Sequence, residues 1–182
     1  MMSNQEENAL CEKIYNRYPK ELDLIFANRV NERAVLAEKL RSWNMGVLDE
    51  QASGRTYVRY TMSEIDELLP VLDQPNGSWN TKHTYYFWFG TYDYGSETET
   101  QKVWFIFELG LKNTTSEIKE KQAKIIQAMG CNPRMSERYK RVKSISIEKN
   151  GEKSMDEFVA RVFKEASRYA SEWCGKIQEN LK

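Results

Sequence analysis

The sequence predicts an α+β protein with a sheet of about four strands, mixed or antiparallel, a central hairpin, and helices at both ends of the chain. Residues 84–92 and 102–111 are dense in aromatic and β-branched residues, which favour strands. Residues 155–178 carry a wide apolar stripe at helical spacing. Because such a helix covers a sheet, the two patterns together predict the class.

The N-terminal segment is predicted to be helical. Residues 4–44 form two helices or one kinked helix, because apolar residues recur at helical spacing on both sides of Pro19. We expect residues 1–50, as a helical segment, to pack on an α+β core formed by residues 55–182. The whole chain, residues 1–182, is then a single domain.

The remaining elements follow from strand alternation, capping boxes and turn-forming residues. They are a strand over 55–62, a short helix that residues 63–66 start and Pro70 ends, a loop over 73–81, a helix from a capping box at Thr114 to Gly130, and a strand over 142–147. The predicted order is ααβαββαβα. Alternation sends the hairpin's aromatic residues to both faces, which leaves two alternatives open. Either both faces are covered, or one exposes Tyr and Trp as an interface does.

Charge is balanced overall but unevenly distributed. Basic and acidic residues number 27 each, and residues 111–182 hold sixteen of the basic and ten of the acidic ones. The sequence shows no charged-then-apolar leader and no apolar run long enough to span a bilayer. We therefore expect a soluble cytoplasmic protein with no membrane partner, and we expect its basic C-terminal third to offer a local basic patch.

The most basic segment combines cations with an aromatic residue. It contains Arg134, Arg138, Tyr139, Lys140, Arg141 and Lys143. Clustered cations neutralise phosphates and a ring stacks on bases, so this segment is a candidate surface for nucleic acid, DNA included, or a nucleoprotein complex. The alternative is a solvated surface with glutamate partners. The acidic hairpin tip, with Glu97 and Glu99, repels phosphate and is a candidate contact for a basic protein groove.

No motif indicates a nucleotide, cofactor or metal site. The single histidine, His83, and the three scattered cysteines lack the spacing of zinc ligands. Glycine loops that cradle phosphates are also missing from the sequence. We therefore expect no metal, no cofactor and no small-molecule substrate.

One acidic pattern is similar to the PD-(D/E)-x-K motif of metal-dependent nucleases. Asp93 and Glu108 fall on the predicted hairpin, and Lys112 follows four residues after Glu108, on the same strand face by parity. The pattern departs from the motif, because no proline precedes Asp93 and Gly110 occupies the lysine position. An active or degenerate nuclease is therefore an alternative. The other interpretation makes Asp93 a turn residue and Glu108 an ordinary strand residue.

Over its whole length, from MMSNQEENALCEKIYNRYPKELDLIF to SEWCGKIQENLK, the chain resembles phage-borne anti-CRISPR proteins that inhibit the RNA-guided DNA endonuclease of type II systems. The resemblance implies a non-catalytic protein of the host bacterial cytosol. Such a protein binds the effector nuclease with its guide RNA and blocks DNA binding or cleavage. The resemblance assigns no role to an individual residue, and a nuclease-like or nucleic-acid-binding accessory domain is the alternative function.

Overall fold

The computed structural model describes residues 4–22, 32–91, 102–132 and 137–181. Over these residues the helices are α1 (Asn4–Arg17), α2 (Glu32–Leu40), α3 (Ser63–Asp66), α4 (Ser116–Ala128) and α5 (Met155–Leu181). The strands are β1 (Val47–Asp49), β2 (Tyr57–Thr61), β3 (Tyr85–Gly90), β4 (Lys102–Gly110) and β5 (Tyr139–Glu148). The predicted α+β class is confirmed. Within the described ranges, no helix is both long and apolar enough to cross a membrane.

The strands form one sheet in the order β1-β2-β3-β4-β5, and every neighbouring pair is antiparallel. The prediction of about four strands omitted β1. Its three residues pair with the end of β2, with Val47 opposite Thr61. Strands that follow one another in the chain are adjacent in space, as is usual for short connections. This order places β5 at one edge of the sheet.

β3 and β4 form the antiparallel pair that the sequence predicted. Their register runs from Tyr85 opposite Leu109 to Gly90 opposite Trp104. Every residue of β3 is buried, so its unbroken aromatic run reflects a strand that is covered on both faces. The segment that joins the two strands, residues 92–101, lies outside the described residues.

α5 packs on one face of this pair, which we call the α5 face, as its apolar stripe predicted. Trp173 of α5 is 3% exposed, and it stacks on Phe105 of β4 with ring centroids 5.5 Å apart and planes 9° apart. α2 and α4 contribute to the same core through Leu40 and Ile125. Helices α2, α4 and α5 therefore cover one face of the sheet.

The cap of α4 differs from the prediction by one residue. The Thr115 side chain accepts a hydrogen bond from the Ile118 N–H at 3.3 Å, so Thr115 is the N-cap. Thr114, the predicted cap, is buried instead, and its hydroxyl is 3.5 Å from the Leu111 carbonyl oxygen. Both threonines carry a hydroxyl group that could cap the helix. The path of the turn after β4 determines which of the two is the N-cap.

Two loops cover the central strands on the other side of the sheet, which we call the second face. There Tyr86, Trp88 and Ile106 are buried in a small cluster with Ala52 and the half-buried Trp79. Further along β4 and β5 the second face is more open. Trp104 is half-buried, and the serines at 144 and 146 are exposed. The alternative with both faces covered therefore holds for the central strands, and Trp104 is the one partly exposed aromatic residue among those described in β3 and β4.

Contacts within the chain divide it into a smaller unit, residues 1–32, and a larger unit, residues 33–182. In the smaller unit, α1 is followed by a bend at Tyr18 and by a second helical stretch over residues 19–22. Pro19 begins that stretch, because proline suits the first turn of a helix. The larger unit contains the whole sheet. The segment predicted to be helical, residues 1–50, is thus divided between the two units.

Candidate nucleic-acid interface

A folded loop ends against the last residues of β4. In this loop, residues 73–83, the buried Asn76 side chain accepts hydrogen bonds from the N–H groups of Ser78 (2.7 Å) and Trp79 (3.1 Å). Its amide nitrogen also donates to the His83 carbonyl. An Asn side chain that bonds to the backbone in this way stabilises a turn. The turn chemistry predicted from the sequence therefore holds Ser78 and Trp79 in place.

Ser78 brings three distant cationic or aromatic residues to one point. Its carbonyl oxygen accepts from Arg138 Nε at 3.0 Å and from the Tyr139 hydroxyl at 2.7 Å. Its own hydroxyl donates to the Arg138 carbonyl at 2.8 Å, and the Lys112 N–H approaches the same hydroxyl at 3.2 Å. We call this group, with Trp79 and the neighbouring Arg141, the Ser78 corner.

Aromatic rings orient the cations of the Ser78 corner. Trp79 and Tyr139 stack with ring centroids 5.5 Å apart, and the Arg138 guanidinium carbon is 5.2 Å from the Tyr139 ring centroid. The Arg141 guanidinium carbon is 5.9 Å from the Trp88 ring centroid. Arg138, Tyr139 and Arg141 are all exposed. Two guanidinium groups are thus presented to solvent from positions that ring contacts and hydrogen bonds restrict.

The basic segment does not share one face of β5. Tyr139 is opposite Gly110 and Arg141 is opposite Glu108, so both lie on the second face. Lys140 is opposite Leu109 and Lys143 is opposite Phe107, both of which belong to the core on the α5 face. The remaining predicted cation, Arg134, lies outside the described residues.

An irregularity in the β4–β5 pairing causes this division. The register shifts between Phe107 and Glu108, where Val142 adds one residue to β5. Strict alternation would put Arg141 and Lys143 on the same face, but the extra residue sends Lys143 to the opposite one. The Ser78 corner therefore contains part of the predicted basic surface, together with Lys112 and Trp79 from elsewhere in the chain.

Glu108 is an electrostatic partner of this surface. Burial raises the pKa of its carboxyl group, while the charges of Arg141 and Arg59 and a hydrogen bond from Trp88 act in the opposite direction. Because Glu108 is opposite Arg141 on β4, its negative charge counters part of the corner's positive charge.

Of the nuclease-like pattern, the described part of the protein contains Glu108 and Lys112 but not Asp93. Glu97 and Glu99 also lie outside it. β4 ends at Gly110, so Lys112 lies in the following turn and the parity argument that put it on Glu108's strand face was wrong. A Cβ added to Gly110 would come within 2.6 Å of Trp79 Cζ3, so the docked loop leaves no room for a lysine at position 110.

Among the described residues, no three His, Cys, Asp or Glu side chains are grouped to hold a metal ion. His83 lies beside the start of β3, with its Nδ1 3.9 Å from Asp66 Oδ1 and its ring centroid 5.7 Å from that of Tyr86. These contacts suit a polar residue at a strand end.

The second face also has an open strip that the sequence interpretation missed. Trp104 of β4 is opposite Ser146, and Ile106 is opposite Ser144. Both serines are exposed, and the Trp104 ring beside them is half-buried. We call Trp104, Ser144 and Ser146 the serine strip. The Ser-x-Ser spacing within a predicted strand was the signal available in the sequence.

The geometry supports anion binding and ring stacking. Guanidinium groups bind phosphate bidentately, and exposed rings beside them stack on bases or other planar groups. No protein-family model, curated protein or solved structure matches the chain. The Ser78 corner and the serine strip are therefore the candidate binding surfaces of the described residues.

Replacing Glu108 with glutamine is expected to raise the melting temperature at pH 7. The raised pKa means that the folded protein binds this proton more tightly than the unfolded chain does, so the ionised carboxylate lowers stability at neutral pH. This loss of stability disappears as the pH falls below the pKa that the Glu108 carboxyl group has in the unfolded chain. Melting curves of Glu108→Gln and wild type should therefore converge at acid pH.

Glu117→Gln is the control of opposite sign. A hydrogen bond and the charge of Lys121 lower the pKa of Glu117, so losing its charge should slightly lower the melting temperature at pH 7. A Glu108→Gln protein that melts below wild type at pH 7 would contradict the electrostatic argument.

Proposed function

We propose that the chain is a non-catalytic binding protein that contacts a nucleic-acid-containing complex through the Ser78 corner. The observation that carries the proposal is that Ser78 holds Arg138 and Tyr139 beside Arg141, with the Tyr139 ring stacked on Trp79 and the Lys112 backbone N–H bonded to the same serine. Arg138 is held by Ser78, so less conformational freedom is lost when it binds a phosphate.

Together with the resemblance to anti-CRISPR proteins, this surface supports a specific partner. We infer that the partner is the type II RNA-guided DNA endonuclease with its guide RNA, in the bacterial cytosol. The chain would occupy part of the nucleic-acid path and so block DNA binding or cleavage. A role for Glu97 and Glu99 against a basic protein groove belongs to the same proposal, because acidic side chains complement such a groove.

The double substitution Arg138→Glu and Arg141→Glu is expected to weaken binding to the effector–guide complex at least tenfold. Two phosphate contacts are lost, so the slope of log affinity against log salt should become shallower by about 1.4–1.8. Fluorescence anisotropy at several salt concentrations measures both quantities, and a target-cleavage assay measures inhibition.

The matched control is Lys119→Glu with Lys164→Glu. Both lysines are exposed on helices that cover the α5 face, so the change in net charge is the same but its position differs. The control should bind and inhibit as wild type does. Equal affinity and salt slope for both double variants would make the Ser78 corner an ordinary solvated surface.

The alternative function is a nuclease-like or nucleic-acid-binding accessory domain, which the same cations suit. We expect no cleavage of DNA in the presence of Mg²⁺ or Mn²⁺, because Gly110 fills the lysine position of the nuclease motif and Glu108 is opposite Arg141. Cleavage that depends on metal and is abolished by Glu108→Ala would favour the hypothesis of a nuclease. Binding to nucleic acid without inhibition of any effector would favour the hypothesis of a nucleic-acid-binding accessory domain.

A further inference from the structure

We propose that the second face binds single-stranded nucleic acid. In this proposal a base stacks on Trp104 in the serine strip, and Arg141 and Arg138 hold phosphates. This inference rests on the proposed function, because it names the ligand class of the same sheet face. It differs from that function in predicting binding to a free single strand. A duplex and an acidic peptide are the competing ligands.

The shape of the second face favours a single strand over a duplex. Two loops cover the central strands on the second face, so its open part lies along β4 and β5. The major groove of B-DNA is about 12 Å wide and admits a helix or a two-stranded ribbon. β4 and β5 are not a free ribbon of that kind, because β4 also pairs with β3 and the helices cover the other face. An open surface on an edge of a sheet suits a strand whose bases are unstacked and lie on it.

Trp104 presents a ring rather than a hydrogen-bonding edge. Its Nε1 is buried and has no hydrogen-bond acceptor among the described residues, although the side chain as a whole is only half-buried. The accessible part of the indole is therefore carbon surface. Such a ring stacks on any base without selecting a sequence.

The neighbours of Trp104 fit a nucleotide. Lys102 Nζ lies over the Trp104 ring, 5.1 Å from its centroid, and pairs with the exposed Glu148 at 2.8 Å. Ser144 and Ser146 have small hydroxyl side chains that accept or donate hydrogen bonds without blocking the ring.

The spacing along β4 separates the stacking site from the cations. Glu108, opposite Arg141, is four residues from Trp104, which is about 13 Å along a strand. A nucleic-acid strand that runs along β4 and β5 therefore meets the Trp104 ring first and the Arg141 and Arg138 guanidiniums further on. An acidic peptide would use the cations but would gain less from the half-buried indole of Trp104.

The experiment compares three fluorescein-labelled probes with the full chain by anisotropy. They are a mixed-sequence DNA 20-mer, the same sequence as a duplex, and a glutamate-rich peptide. We expect the single strand to bind most tightly, with a salt slope of about −1.4 if Arg138 and Arg141 each neutralise one phosphate. Tighter binding of the duplex or the peptide would overturn the inference.

Trp104→Ala should weaken single-strand binding by about 5- to 150-fold, the range measured for loss of one stacked base. Trp104→Phe keeps a ring and should recover most of the affinity. Intrinsic tryptophan fluorescence of the wild type should fall when the unlabelled strand is added. If Trp104→Ala binds the strand as wild type does, the stacking role is excluded.

A second variant avoids any loss of buried surface. Ser144→Glu adds a negative charge to the exposed serine strip, and Ser171→Glu adds the same charge on exposed α5. We expect only the first to reduce single-strand binding. If single-strand binding follows this pattern but effector inhibition is absent, the ligand class stands and the inhibitor function fails. If the protein inhibits the effector but does not bind the single strand, the inhibitor function stands and this ligand class fails.

Discussion

Trp173→Ala should lower the free energy of unfolding by about 3–5 kcal/mol, the usual cost of truncating a buried aromatic residue. Trp173 is 3% exposed in the middle of α5. Its ring stacks on Phe105, with centroids 5.5 Å apart, and lies 6.3 Å from the Phe87 ring. Removing the indole leaves a cavity between the helix and the two central strands, and the sheet cannot collapse to fill it.

Urea denaturation followed by circular dichroism measures this loss, which corresponds to a decrease of about 6–20 °C in melting temperature for a domain of this size. Lys176→Ala, one turn further along α5, is the control. Lys176 forms an exposed pair with Glu172, so its loss should change the free energy of unfolding by less than about 0.5 kcal/mol. A change below about 1 kcal/mol for Trp173→Ala would contradict the packing of α5 on the sheet.

The elements that the sequence predicted well have patterns determined by burial. β3 is buried on both faces and α5 buries a long stripe, so apolar density alone identified them. β1 was missed because three residues with little burial give no periodicity. A short edge strand is stabilised by its pairing with a neighbouring strand, here β2. A local sequence pattern does not show which strand it will pair with.

The candidate site was predictable only in part. The sequence identified Arg138, Tyr139 and Arg141 as a basic and aromatic group, and they do share the second face. It could not identify Ser78 as their common partner, because Ser78 is 60 residues from Arg138 in the chain. Nor could it foresee the extra residue that sends Lys143 to the α5 face, since bulges leave no reliable trace in side-chain pattern.

Gly110→Ala is expected to damage the Ser78 corner without removing any charge. The new Cβ would lie 2.6 Å from Trp79 Cζ3, closer than nonbonded carbon atoms approach, and 3.0 Å from Ser78 Cβ, which is a tight contact. The backbone of Gly110 cannot move away easily, because its N–H donates to the Thr84 carbonyl at 2.8 Å. The loop must therefore move, and overpacking of this kind costs about 1–3 kcal/mol.

Gly175→Ala is the matched control. A Cβ at Gly175 meets nothing within 4 Å, and this residue lies inside α5, where alanine is favoured over glycine by about 0.5–1 kcal/mol. The control should be as stable as wild type or more stable, with unchanged binding. The same substitution is thus predicted to have opposite effects on stability at two glycines.

Binding distinguishes this prediction from simple loss of stability. If loop 73–83 positions Arg138 and Tyr139 through Ser78, Gly110→Ala should reduce affinity for the nucleic-acid probe several-fold at a temperature where the protein remains folded. The salt slope should change less than in the Arg138→Glu and Arg141→Glu variant, because the cations are still present but are no longer held in position. A Gly110→Ala protein with wild-type stability and affinity would show that the docked loop has no part in the corner.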